Sequence, residues 1–203
     1  LKDRSIDILV GTQMVAKGHD FPNITVVGIV CADLSLSLPD FRAGERTFQL
    51  LAQVAGRAGR GDVPGRVILQ TYNPDHFSIR SAEKQDYNAF YEKEIGFRKA
   101  LSYPPFSRII QLKISARDKD AARLHAKTVG DFCHTLQSGH GPFAAAVQVL
   151  GPIEAPLRKI AGRYRWQILL KGIRVRALRE FTGMLQHDHP AVFTSRNVRV
   201  AID

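Results

Sequence analysis

The 203-residue sequence predicts an α/β protein in two parts: a partial lobe of parallel sheet with helices, then a smaller α+β domain of order βαββαβ. Three observations carry that prediction. Continuous Val/Ile runs in the first half read as buried parallel strands, because a strand covered on both faces has no polar side to alternate with. The Tyr103-Pro104-Pro105-Phe106 stretch ends the first half, since proline lacks a backbone N–H and biases its predecessor away from helix. Beyond it the pattern turns to alternation interrupted by two helical spacings. The boundary is therefore placed to give residues 1–103 and 104–203.

In order, Ser5–Val10 reads as a first strand and Ile24–Cys31 as a second, with Val67–Tyr72 a third. Between the first two lies Gly11 to Pro22, a segment leaving the carboxyl end of a strand, where ligands of α/β sheets gather. Thr12 and Gln13 offer polar groups to phosphate or sugar there, and Lys17 adds charge. The same residues also suit a plain connection, with Gly18 closing a helical turn and Pro22 stopping it. Asp33, just past the second strand, fits a cap or ion-pair partner as well as a base. Arg42 to about Arg57 forms the helix before the third strand, and Gly61 to Gly65 is a turn by composition. Phe77 to about Leu101 reads as one long helix.

In the second part, Ser107–Ala116 alternates as a strand and Lys119–Gln137 has helical spacing. Val147–Leu150 is a short strand ended by Gly151-Pro152. Tyr164–Leu170, Arg174–Gln186 and Asn197–Ile202 follow as strand, helix and strand, an order that resembles a split ferredoxin-like sandwich.

Composition bounds the function. A hydrophobic fraction of 44% suffices for a buried core, and no run of 18 apolar residues offers a membrane span. Leu1-Lys2-Asp3-Arg4 is no secretory signal, and an opening on Leu reads as a piece of a longer chain. Cys31 and Cys133 sit in apolar stretches without CxxC spacing, as core thiols of a reducing, cytoplasmic compartment would. The seven histidines form no ligand set, so no metal site is expected. The net charge of +10 is uneven: residues 1–106 carry 13 Lys+Arg against 12 Asp+Glu, residues 107–203 carry 16 against 7. The second half is built to meet a polyanion.

The most informative stretch is Gln53-Val-Ala-Gly-Arg-Ala-Gly-Arg-Gly61. At about 100° per residue Gln53, Arg57 and Arg60 share one arc of a helix, while Phe48, Leu51, Ala55 and Ala58 share the opposite one. A solvated polar face is the ordinary reading of such a helix. The glycines argue for more. Each weakens a helix by roughly 1 kcal/mol against alanine, and glycines between arginines suit a site where backbone or phosphate approaches closely. The guanidinium fork pairs two phosphate oxygens at once.

A second cluster lies on the third strand of the βαββαβ part: Arg158, Lys159, Arg163, Arg165, Lys171, Arg174, Arg176 and Arg179, with no acid between Glu154 and Glu180. Alternation puts Tyr164, Trp166, Ile168 and Leu170 on the core face and Arg163, Arg165 and Gln167 on the other. Uncompensated cations repel one another, and a nucleic-acid backbone relieves that repulsion while releasing counterions.

QxxGRxGR has the form of the sixth motif of superfamily 2 helicases. With GTQMVAKGHDFP before it and YPPFSRI and RYRWQILLKG after it, the chain resembles the bacterial replication-restart helicases of the PriA (primosomal protein N′) family over essentially its whole length. The resemblance implies the C-terminal portion of a second RecA-like lobe followed by a domain that binds DNA and partner proteins. It implies an ATP-driven 3′→5′ helicase of stalled forks and D-loops that promotes primosome assembly. Gly11, Thr12, Gln13 and Lys17 would touch the tracking strand, and Gly18 and Asp20 would lie near the nucleotide. Gln53, Arg57 and Arg60 would face the phosphates, with Arg60 the arginine finger. The chain has no GxxxxGK[ST] loop, no DExH-type box and none of the cysteine cluster with which the family binds zinc. ATP and Mg²⁺ would be held mainly by another lobe, and the chain alone would be inactive. Branched and single-stranded DNA, single-stranded DNA-binding protein and other primosome proteins are the implied partners, and a monomer the implied state. A basic binding module without catalysis, or a different superfamily 2 motor, is the alternative.

Overall fold

The computed structural model describes residues 6–12, 24–56, 58, 64–139, 141 and 143–203. The chain divides into two compact units, Leu1–Phe97 and Arg98–Asp203.

In the first unit β1 (Val26–Ile29) pairs with β2 (Arg66–Leu69) in parallel, Val26 opposite Arg66 and Ile29 opposite Leu69. Between them in sequence runs α1 (Ala43–Ala55), as the apolar spacing predicts. Its entry is fixed by Asp40, whose carboxylate accepts the Arg42 N–H at 2.9 Å and pairs with Arg46 at 2.8 Å. Phe48 and Leu51 bury its inner face against Ile79, Ala82 and Phe90, with the Phe48 and Phe90 rings stacked 4.3 Å apart. Such a stacked pair adds about 0.5–1.5 kcal/mol beyond area burial.

Three expectations for this unit are corrected. Among the described residues, 6–10 of the expected Ser5–Val10 strand are not paired: Ile8 and Val10 are 81% and 88% exposed, and a β-prone run with no described neighbour to pair with has no ladder to join. The parallel pair is not buried, since Val26 and Ile68 stay more than half exposed. The long helix is two: α2 (Phe77–Glu83) and α3 (Tyr87–Ala100). Gln85 takes a left-handed φ of 52°, and the Asp86 carboxylate accepts the Ala89 N–H at 2.9 Å to start the second.

The second unit has the expected βαββαβ order: β3 (Arg108–Ala116), α4 (Lys119–Ser138), β4 (Gln148–Ile160), β5 (Arg163–Gly172), α5 (Val175–Asp188) and β6 (Val198–Ile202), with a short α6 (Pro190–Phe193) before the last strand. The sheet is antiparallel in the order β4-β5-β3-β6. Leu112, Ile114, Ile168 and Leu170 bury one sheet face under Ala126, Val129 and Cys133 of α4 and Leu178 and Phe181 of α5. Among the described residues the other face carries no helix of this unit.

β4 does not stop at Gly151-Pro152. The register shifts between Leu150 and Ile153 and pairing resumes, which is how a bulge carries a strand past residues that break its ladder. Gly151 holds φ 101°, and a Cβ there would stand 2.9 Å from the Gln167 carbonyl oxygen. The two cysteines also part company: Cys133 is buried, its thiol pushed up to about 12 by burial, whereas Cys31 is exposed rather than core.

Candidate nucleotide and nucleic-acid interface

In the first unit Gln53 stands exposed on the last turn of α1, opposite the buried Phe48 and Leu51. Gly56 caps the helix, its N–H reaching the Ala52 carbonyl at 3.1 Å, and the Ala58 N–H reaches Ala55 at 3.2 Å. The α-helix therefore ends before Arg57. The arc expected for Gln53, Arg57 and Arg60 runs past the end of α1 into residues outside the described ones. Arg57 and Arg60 lie outside the described residues, as do Gln13, Lys17, Gly18 and Asp20. Thr12 is exposed at the end of the described N-terminal segment. The carboxyl end of α1 carries partial negative charge, so cations following it are also locally favourable.

Asp33 has a structural task. Its Oδ2 accepts the Tyr72 N–H at 2.9 Å, joining the chain beyond β1 to the chain beyond β2. Desolvation, the largest single influence, pushes its carboxyl up, but the donors from Tyr72, its own N–H, Thr71 and Asn73 together hold it below the ordinary range.

In the second unit, strand alternation places Arg163, Arg165 and Gln167 on the helix-free face, as the sequence predicts, and Lys171 falls on the same side. Tyr164 and Trp166 pack against the core. Register adds two cations that the sequence reading passed over. Lys113 sits opposite Gln167, and Arg199 opposite Ser115, on the same face. The alternation in Arg108–Ala116 was the available signal for Lys113; Arg199 needed the β3–β6 pairing.

The cations differ in what already holds them. The Arg163 guanidinium donates to the Ser115 carbonyl at 2.7 Å and its hydroxyl at 3.3 Å. Lys113 is paired with Asp203. Lys171 donates to the Leu101 carbonyl at 3.2 Å and lies over the Tyr103 ring. Lys159 lies 4.6 Å over the Tyr164 ring. The acids bracketing the run are engaged as well: Glu154 pairs with Arg158 at 2.9 Å and Glu180 with Arg176 at 2.7 Å. That pairing raises Arg176 further above its ordinary value. The exposed Glu154–Arg158 and Glu180–Arg176 ion pairs are weakly held against solvent and salt, so a phosphate can compete for those two arginines. Arg174 and Arg176 stand at the start of α5, whose first turn holds no acid. Cations there oppose the helix dipole, which the i,i+4 pair with Glu180 offsets for Arg176.

Among the described residues no three His, Cys, Asp or Glu side chains gather as a metal site, and no helix is long and apolar enough to cross a membrane.

Comparison with known proteins places both units. Residues 1–62 match the helicase conserved C-terminal domain, and residues 99–203 the primosomal protein N C-terminal domain. The replication restart protein PriA of Bacillus subtilis is 40% identical over 197 residues, 97% of this chain and 24% of that protein. Those of Treponema pallidum (46% over 166 residues, 82% of this chain, 24% of the relative) and Haemophilus influenzae (44% over 164 residues, 81% and 22%) are similar. The chain spans about a quarter of the length of these relatives. With a conserved helicase segment leading into a primosomal C-terminal domain, the chain belongs to the primosomal protein N (PriA) family of replication restart helicases.

Proposed function

We propose that this chain forms the nucleotide-facing end of a second helicase lobe and the DNA-binding C-terminal domain of an ATP-dependent 3′→5′ DNA helicase. Its task is to recognise stalled forks and D-loops and to promote primosome assembly in replication restart. One observation supports this most: Gln53, exposed at the end of α1, leads directly into the two-arginine motif, inside the segment that matches the helicase C-terminal domain. Gln53, Arg57 and Arg60 offer an amide and two permanent charges to the triphosphate, and Arg60 is the arginine finger. Gly18 and Asp20 lie on the nucleotide side, while Thr12, Gln13 and Lys17 hold the tracking strand. Mg²⁺ and most of the ATP contacts come from sequence outside this chain, which has no phosphate loop. Alone, the 203-residue chain neither hydrolyses ATP nor unwinds DNA.

Arg158, Lys159, Arg163, Arg165, Lys171, Arg174 and Arg176 hold the phosphates of branched or single-stranded DNA. The protein acts in the cytoplasm as a monomer, with single-stranded DNA-binding protein and other primosome proteins as partners. The experiment is Arg60→Ala in the full-length protein. Arginine fingers are worth about 10³–10⁵ in rate, so ATP turnover should collapse while fork affinity changes less than about twofold. Full turnover in that variant would remove Arg60 from the mechanism.

A further inference from the structure

The β4–β5 hairpin ends one β5 residue beyond its pairing with β3. Pairing of β3 with β5 stops at Ala116 opposite Tyr164, whereas β4 and β5 stay paired to Ile160 opposite Arg163. Ala161 (φ 47°) and Gly162 (φ 75°) then close the ribbon, both left-handed, as a two-residue turn matched to strand twist requires. Just before the turn the register slips: between the pairs Glu154 with Trp166 and Lys159 with Tyr164, residues 155–158 of β4 face Arg165 alone. The surplus forms a bulge that buries Ala155 and is clipped by the Glu154–Arg158 ion pair at 2.9 Å.

Bulge and turn together expose two aliphatic side chains. Leu157 is 56% and Ile160 45% exposed. Ile160, opposite Arg163, shares the helix-free face with Arg165. β4 is an edge strand, and edge strands use bulges, prolines and cations to avoid pairing with other chains. That accounts for Pro156, Arg158 and Lys159. It does not account for two bare aliphatics, which make an edge more adhesive.

We propose that this hairpin tip is a junction wedge: Leu157 and Ile160 lie against the base faces exposed where a duplex branches, while Arg158, Lys159 and Arg163 hold the flanking phosphates. The inference rests on the DNA-binding reading of the basic face and supplies what that face lacks. Tyr164 and Trp166 are turned into the core, so the face reads phosphates, and phosphate contacts alone do not tell a branch from plain duplex. Aliphatic side chains wedged against unstacked bases do, and the cations beside them match the charge of the same ligand.

The test compares binding of the 203-residue chain to a forked duplex, with 2-aminopurine at the junction, and to a dumbbell duplex closed at both ends. Wild type should prefer the fork and change the 2-aminopurine fluorescence. Leu157→Ser/Ile160→Ser should lose that preference by on the order of tenfold and lose the fluorescence change, with dumbbell affinity unaltered. Both sites are exposed, and an unchanged unfolding midpoint verifies the fold. Retained fork preference and fluorescence in the double variant overturns the wedge and leaves the DNA-binding reading standing. Failure of wild type to bind either DNA overturns both.

Discussion

At the scale of single residues, His76 couples the first unit to pH. Its Nδ1 accepts the Ser78 N–H at 3.3 Å as the cap of α2, and its ring stacks on Phe77. Burial lowers its pKa below the ordinary 6.5, with Glu94 opposing, so the folded state favours the neutral ring. The unfolded chain therefore takes up the proton first. Stability from this group is complete above pH 6.5 and declines as pH falls from there through the lower folded value. Protonation also puts a hydrogen on the nitrogen that must accept the cap. His76→Asn keeps an acceptor for Ser78 and removes the titration. Urea unfolding across pH 5–7 should show a falling midpoint in wild type and a flatter one in the variant. Nothing in the sequence singled out His76 among seven histidines, because its role depends on the rings packed around it.

At the scale of elements, legibility tracked how local the deciding force was. The spacing over Lys119–Gln137 foretold α4 almost to its ends, and Ala122, Ala126, Val129 and Cys133 form its buried stripe. Asp118 starts it by accepting the Ala121 N–H at 2.7 Å. Asp118→Ala should cost about 1 kcal/mol, read as a lowered urea midpoint with unchanged slope. The break between α2 and α3 was missed because the residues around it are polar helix formers; the left-handed Gln85 and the Asp86 cap make the turn. β4 was cut short in the sequence reading because Gly151-Pro152 resembles a stop, whereas its partner β5 carries the pairing past it. In α1 Gln53 stands on the exposed helix face as expected, Gly56 caps the helix, and Arg57 and Arg60 lie outside the described residues.

At the scale of the whole molecule, the uneven charge predicts a steep salt response. Each phosphate neutralised on duplex DNA contributes about 0.9 to the slope of log affinity against log salt. Replacing Arg163, Arg165 and Lys171 by Gln should lower that slope by roughly 2–3. A slope unchanged by the triple replacement would place the contact elsewhere on the second unit.

The βαββαβ order of the second unit and the side of β5 on which each residue falls were determined by the sequence alone. Helical and strand periods are properties of the local backbone, and alternation sorts Trp166 from Arg165 in any register. Tertiary structure decided which cations share a face and what already holds them. Arg199 joins Arg165 only because β6 pairs with β3, Arg163 is held by Ser115, and Leu157 is bare only because β4 has more residues than β5 has places to pair. Those facts depend on contacts between residues far apart in the chain, and no local pattern encodes them.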